Sequence, residues 1–332
     1  MMEKGILVTG GAGYIGSHVV KQLGEAGFQN IVILDDLSKG FRDAVLYGKL
    51  ILGNTGDKTL VSKILADYGI QSVMHFAAHT IVPESVSNPL KYYGNNTCCS
   101  RNLLECCQNA GVKNFIFSST AAVYGNPKEV PVPEDATKQP INAYGTSKLM
   151  TEWMLRDLAN ASDMRYVALR YFNVAGCDLQ ARIGQSTKDA TLLTKVAVEA
   201  ALGKRDKVLI FGTDYDTADG TGVRDYIHVE DLASAHLMAL KYLENNGESV
   251  TLNCGYGHGY SVRDVLKAVE KAHGSPLNII EEPRRAGDPA SLIAKADKIK
   301  ETLGWEPKHD NLDTIVSTAL AWEKKLMVSR PK

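Results

Sequence analysis

The chain has 332 residues, 44% of them apolar and 23% charged, with a formal net charge of −1 at pH 7. That length and composition suit one large α/β domain or two smaller ones with a full core, and exclude a disordered chain. The even charge balance argues against a broad nucleic-acid or membrane-surface footprint, and no apolar run reaches the roughly eighteen residues that span a bilayer.

The first element is a short apolar run, residues 5–9, which feeds Gly10-Gly11-Ala12-Gly13-Tyr14-Ile15-Gly16 and an amphipathic stretch to residue 26. A buried strand passing through glycines into a helix makes a pyrophosphate cradle. Backbone N–H groups face outward at the helix start, where the macrodipole adds partial positive charge. A second apolar run, 31–35, ends in Asp35, the acid that such a cradle needs about twenty residues on. Asp35 can accept from a ribose 2′-OH and would repel a 2′-phosphate, so NAD is expected rather than NADP. Gly10, Gly13, Tyr14, Ile15, Gly16 and Asp35 are the first candidate cofactor residues.

The alternation continues. Strands are expected at 49–52, 72–76, 114–119 and 165–171, and helices at 14–27, 58–69, 89–111 and 143–161. Such βαβ repetition predicts a Rossmann-type, doubly wound parallel sheet covered on both faces, with ligands beyond the carboxyl ends of its strands. After Asn173 the rhythm loosens into a polar stretch (177–190), a helix (190–202), a strand (208–211) and a Gly/Asp/Thr-rich loop (212–222). A strand at 226–229, a helix at 230–243, a strand at 250–253 and helices at 261–273 and 311–326 follow. The expected division is a NAD-binding unit, residues 1–174 joined by part of 219–250, and a smaller substrate lobe drawn mainly from 175–332. The six cysteines show no C-x-x-C pair with partner histidines, so no metal is expected. Free thiols, buried or half-buried, and the absence of a signal-peptide pattern point to the cytosol.

Two groups of residues carry chemistry. Tyr144-Gly145-Thr146-Ser147-Lys148 opens a helix and puts a phenol and an ammonium on one face, a turn apart. For Tyr144 to act as a base near pH 7, its pKa must fall about three units, roughly 4 kcal/mol of differential stabilisation, which Lys148 and an oxidised nicotinamide could supply. The strand at 114–119 ends in Ser118-Ser119-Thr120, which delivers hydroxyls to the same crevice. Thr120 is placed to hydrogen-bond a substrate hydroxyl being oxidised.

Together with other strings, these motifs resemble the UDP-glucose 4-epimerases of the extended short-chain dehydrogenase/reductase family. The likeness runs nearly end to end. It covers Val8 to His18, His75-Phe76-Ala77-Ala78, Glu84-Ser85-Val86, Tyr92-Tyr93-Gly94-Asn95-Asn96, Phe115 to Gly125 and Leu169-Arg170-Tyr171-Phe172-Asn173. Asp219 to Val229 and Pro283-Arg284-Arg285-Ala286-Gly287-Asp288 complete it. The resemblance implies a tightly held NAD, reduced and reoxidised within each turnover, with a 4-keto sugar turning over between the two hydride transfers. By the same likeness Tyr144 takes the proton from the sugar 4′-OH, Lys148 tunes Tyr144 and binds the nicotinamide ribose, and Thr120 holds the reacting oxygen. Asn54, Phe76, Ala77, Asn95 and Tyr171 line the cofactor crevice. Asn173, Arg224, Arg285, Asp288 and Leu292 contact the UDP-sugar, the two arginines clamping its diphosphate, a task for which the guanidinium fork is suited. For Arg224 the competing expectation is an ion pair with Asp219 or Asp225. Leu292 occupies the position that gates the sugar 2′-substituent, and a side chain of that size leaves N-acetylhexosamine, pentose and uronate nucleotides open. A homodimer through the helices at 89–111 and 143–161 is also implied.

Four positions depart from the family pattern: Thr120 where Ser is usual, Gly53-Asn54 for Gly-Asp, Thr80 for a lysine, and 190–195 without Asn-Leu-x-Pro. A sugar-nucleotide 4,6-dehydratase is disfavoured because elimination needs an additional acid and base beside Thr120, where Ala121 and Ala122 stand. A decarboxylase lacks its own acidic and basic groups there, and a non-catalytic NAD(H) sensor would be expected to lack Tyr144 or Lys148.

Overall fold

The structure, a computed structural model, describes residues 4–187, 190–285 and 288–329. Its centre is a seven-stranded sheet: β1 (Gly5–Thr9), β2 (Ile31–Asp35), β3 (Lys49–Leu52), β4 (Ile70–His75), β5 (Asn114–Thr120), β6 (Arg165–Tyr171) and β11 (Val250–Cys254). The order is β11-β6-β5-β4-β1-β2-β3 and every pairing is parallel. β1, β2 and β5 are buried along their whole length, which is why they read as continuous apolar runs rather than alternating ones. α1 (Tyr14–Glu25) and α8 (Val229–Glu244) cover one face; α2 (Lys58–Asp67), α5 (Cys99–Asn109) and α6 (Ala143–Ala161) cover the other. This is the doubly wound α/β architecture expected.

Three local differences matter for the site. β4 ends at His75, one residue early, although the Phe76 N–H still donates to Thr9 O at 2.9 Å. β5 extends one residue further, which makes Thr120 the terminal strand residue. The helix expected over 89–111 is three pieces: α4 (Pro89–Tyr92), a π-helical turn (Tyr93–Cys98) and α5, preceded by a short α3 (Val82–Ser87). The wide turn buries the Asn96 amide. It accepts from His79 N at 2.8 Å and donates to His79 O at 2.9 Å and to Ser147 Oγ at 3.2 Å. Cys98 is exposed rather than buried, because the same turn rotates it outward; Cys99 is half-buried, and Cys106 and Cys107 are buried.

The second half builds on short strands. β7 (Asn173–Ala175) pairs with β10 (Tyr226–His228), and β8 (Val208–Phe211) with β13 (Ile279–Glu282). β9 (Val223–Arg224) lies between β12 (Tyr260–Ser261) and β14 (Ser291–Leu292). α7 (Leu193–Ala201), α9 (Val262–His273), α10 (Asp297–Leu303) and α11 (Leu312–Ser329) pack around them. Runs of two or three residues carry no period, so β7, β9, β12 and β14 had no signal in the sequence. No helix among the described residues is long and apolar enough to cross a membrane.

A buried ionic cluster ties the segment after β7 to the sheet layer. Lys21 of α1 donates to Asp178 at 2.8 Å and to Glu230 of α8 at 2.6 Å, while Arg182 grips both oxygens of Asp178. Burial pushes the Asp178 carboxyl up, but Arg182 and Lys21 more than offset it and hold it well below its ordinary 3.8. Such a carboxylate contributes stability above that value and loses it as the pH falls toward its depressed folded one. Asp178→Asn should therefore cost about 2–4 kcal/mol at pH 7, and the gap to wild type should narrow at pH 3. Urea denaturation at the two pH values measures this; an equal gap at both would refute the ionic account.

Candidate active site

The cradle is built by close backbone approach. Gly10 has φ of 69°, and a Cβ there would sit 2.6 Å from Ala77 N, so the chain leaving β4 lies directly over the first glycine. A Cβ on Gly16 would sit 2.3 Å from Gly10 O, which leaves only hydrogen at that point of α1. Asp35 ends β2 with its carboxylate accepting from Ala12 N at 3.0 Å and Leu37 N at 2.8 Å. Burial raises its pKa and the two N–H groups oppose that; each oxygen keeps a lone pair for a hydroxyl. The cleft beside it has a volume of about 100 Å³ and is lined by Gly10, Gly13, Asp35, Asn54, Phe76, Ala77 and Asn95, all expected. Asp36, Ser38, Lys39 and Thr55 share the lining and were not singled out from the sequence.

A larger cavity of about 460 Å³ opens from the same glycines. Gly10, Gly13, Tyr14, Ile15, Gly16 and Phe76 form part of its wall. Thr120, Tyr171 and Asn173 reach it from strand ends and Tyr144 from the first turn of α6, and Arg224, Asp288 and Leu292 come from the second half of the chain. Thus the cofactor cradle, the candidate proton-transfer group and a candidate anion clamp face one space. Asn142 caps α6, its side chain accepting from Gly145 N at 2.9 Å, and so fixes Tyr144 in the first turn.

Burial raises the Tyr144 pKa, and a hydrogen bond with Thr120 works in the opposite direction. Lys148 lies behind the cavity wall rather than in it. Its ammonium donates to Ser118 O at 2.8 Å, sits 4.9 Å from the Phe117 ring centroid, and is drawn by burial down to about 7. The expected depression of Tyr144 by Lys148 is therefore not supplied by the protein's own groups, since desolvation dominates both. A cation bound beside the phenol would lower it. The Tyr171 hydroxyl shares a short hydrogen bond with Ser118 Oγ, which locks its ring against the end of β5.

Arg224 makes no ion pair among the described residues. Asp219 accepts from Thr221 and Ser261, and Asp225 from the backbone N–H groups of Tyr256 and Gly257. The guanidinium donates to Val223 O at 2.8 Å and faces the cavity, available to an anion. Arg285 is placed differently. It is exposed, stacks 3.6 Å from the centroid of Phe211, and is not part of the cavity wall. Ala286 and Gly287 lie outside the described residues. Ser118, one of the strand-end hydroxyls expected at the crevice, lines the cavity; Ile141, Asn142, Phe172, Gln185, Thr187 and Thr191 also line it and were not singled out. Phe172 stood beside Asn173 in a quoted string, but Gln185 and Thr187 fall in a polar stretch with no periodicity to mark them. Among the described residues no group of His, Cys, Asp and Glu is arranged to hold a metal ion.

The cradle geometry predicts the effect of one methyl group. Gly16→Ala forces Cβ onto a backbone oxygen, so the folded protein should lose dinucleotide affinity by about tenfold or more, a cost of about 1.4 kcal/mol. Cofactor content of the purified variant and a fluorescence titration check this, and unchanged retention would show that the glycine approach is not what shapes the cradle.

Residues 6–255 match the model of the NAD dependent epimerase/dehydratase family. A UDP-glucose 4-epimerase of Azospirillum brasilense is 54% identical over 322 residues, covering 97% of this chain and 92% of its own. The crystal structure of the Brucella ovis UDP-glucose 4-epimerase in complex with NAD superposes with a TM-score of 0.94 at 41% identity, covering 96% of this chain and 98% of that one. The Campylobacter jejuni UDP-Glc/GlcNAc 4-epimerase structure gives 0.86 at 47% identity, with 97% and 100% covered. The chain belongs to the NAD dependent epimerase/dehydratase family, among its UDP-glucose 4-epimerases.

Proposed function

We propose that the protein interconverts UDP-galactose and UDP-glucose by inverting C4 of the sugar with NAD held throughout. The observation that carries this reading is the single cavity in which the glycine cradle, Tyr144, Thr120 and Arg224 meet. The residues fit the cofactor: Gly10, Gly13 and Gly16 leave room for a pyrophosphate, Asp35 offers its carboxylate to a ribose, and Asn54 and Asn95 line the same cleft. NAD, when bound, supplies an acceptor and then a donor of hydride.

The chain's own residues do the rest. Tyr144 takes the proton of the sugar 4′-OH through its phenol oxygen and returns it when the opposite configuration forms. Thr120, hydrogen-bonded to Tyr144, holds that oxygen in line. Lys148 keeps its ammonium against Ser118 O, buried behind the reacting groups. Arg224 binds the diphosphate with its unpaired guanidinium, and Asp288 and Asn173 contact the rest of the substrate; Arg285, stacked on Phe211 outside the cavity wall, joins the phosphates only by leaving that seat. The wall next to Thr120 favours epimerisation over dehydration. Ala121 and Ala122 line it, and of the two described carboxylates on the cavity wall Glu84 is already held by Lys91 and Tyr92, while Asp288 comes from the second half of the chain.

Leu292 packs half-buried against the cluster of Ala121, Val123, Tyr124, Val132 and Leu149, and a side chain of this size leaves more room than a phenol ring. We infer that the N-acetylhexosamine pair is accepted as well, as the name of the Campylobacter relative describes for that enzyme. Residues 1–174 with part of 219–250 act as the NAD-binding unit and 175–332 mainly as the substrate lobe. Helices α5 and α6, with Trp153 48% exposed, form the face of a homodimer. Six free thiols suit a reducing, cytoplasmic setting.

Two assays test this. Purified protein should convert UDP-galactose to UDP-glucose without added NAD, and Tyr144→Phe should lower kcat by about 10²-fold or more while NAD stays bound. Near-normal turnover in that variant would remove Tyr144 from the chemistry. Leu292→Tyr should abolish turnover of UDP-N-acetylglucosamine while leaving UDP-glucose turnover within a few-fold; retained N-acetyl activity would refute the gate.

A further inference from the structure

Beneath the cavity lies a buried polar cluster that touches none of its space. Glu152 stands on α6 one turn beyond Lys148 and two beyond Tyr144, so all three project from one side of the helix. Its carboxylate accepts from Ser119 Oγ at 2.5 Å and from Arg170 through two bonds, Nε to Oε1 at 2.9 Å and Nη2 to Oε2 at 2.5 Å. Arg170 also donates to the Tyr124 hydroxyl at 2.9 Å and to Glu134 O at 3.0 Å, and Tyr124 donates onward to Asn253 of β11 at 2.7 Å. Glu152 and Arg170 are 6% and 4% exposed.

Two of the anchors are next in sequence to residues of the cavity wall, and the third shares a turn with one. Ser119 precedes Thr120 at the end of β5, Arg170 precedes Tyr171 at the end of β6, and Tyr124 closes the helical turn that Thr120 opens. Strand alternation turns Ser119 away from the cavity while Thr120 faces it, so the cluster holds the backbone from behind. A buried ion pair of this kind contributes little net stability compared with apolar packing, but it fixes register through bidentate geometry.

We propose that the Glu152–Arg170 pair is the positioning group of the active site, clamping α6 to the ends of β5 and β6 and thereby setting the reach from Tyr144 to Thr120. The proposal rests on the epimerase reading above. It predicts a kinetic effect rather than a binding one, because a misplacement of about 1 Å between reacting groups can cost up to 10²-fold in rate while leaving the substrate's other contacts intact.

The test compares Ser119→Ala, which cuts only the tether to β5, with the charge-balanced double variant Glu152→Gln/Arg170→Met. The expected result for both is a kcat lowered about tenfold or more, with KM for UDP-galactose within about twofold of wild type and bound NAD unchanged. Wild-type kcat in both variants overturns the proposal, and so does a parallel loss of kcat, substrate affinity and NAD, which marks a purely structural role. If the double variant fails to fold, Ser119→Ala decides alone. An inactive wild-type protein would instead sink the epimerase reading, so the two failures are distinguishable.

Discussion

The constraint on which the rest depends is the parallel alignment of β1, β4, β5 and β6, which brings four carboxyl ends to one rim. Strand carbonyls and N–H groups at such a rim are left without ladder partners, and the helices that follow begin there with their own unpaired N–H groups. Every functional side chain discussed above is delivered from that rim or laid against it. Gly10 leaves β1, Phe76 leaves β4, Thr120 ends β5, Tyr171 ends β6, and Tyr144 sits in the first turn of a helix that starts over it. The second half of the chain then closes the space with Arg224 and Leu292 on two short paired strands.

Electrostatics in this space are set mainly by desolvation. Tyr144 and Tyr171 are pushed up and Lys148 is drawn down by the same loss of water. His75, buried behind the crevice, is pulled to about 3 and stays neutral; its two nitrogens bond Thr9 Oγ1 at 2.6 Å and Ser100 Oγ at 2.7 Å. Since Ser100 donates its own proton to Asn96 O at 2.6 Å, His75 must donate from Nε2 and accept at Nδ1. A fixed neutral ring keeps Lys148 from sharing the interior with a second positive charge. A phenol placed in so dry a wall is receptive to any cation brought beside it, because the field of that cation is weakly screened there.

The sheet and the helices flanking it were legible because buried parallel strands and amphipathic helices both impose a period, and because glycines mark where backbones touch. Gly10 and Gly16 could be read in this way, and their geometry shows why no other residue serves. Asp35, Thr120 and Tyr144 were legible from their position at element ends. What could not be read depends on where distant segments meet. Gln185 and Thr187 reach the cavity from a stretch tied to distant segments, through Asp178 to Lys21 of α1 across 157 residues and through Gln185 O to Lys195 and Trp322. The stacking of Arg285 on Phe211 is of the same kind, set by β13 pairing beside β8. Ser119, read from the sequence as one of three hydroxyls aimed at the crevice, turns away from it to Glu152, which reads as an ordinary member of a helix.

The π-helical turn at Tyr93–Cys98 holds one residue more than a regular turn would. That surplus lets neighbouring asparagines serve opposite masters: Asn95 reaches the cofactor cleft, while Asn96 is spent inside the protein on His79 and Ser147. Removing a single residue there would leave a smoother helix, yet it would swing everything upstream by about 100°. The irregularity is thus a phase adjuster, and the chain can be shortened at that point only by giving up one of the two amides.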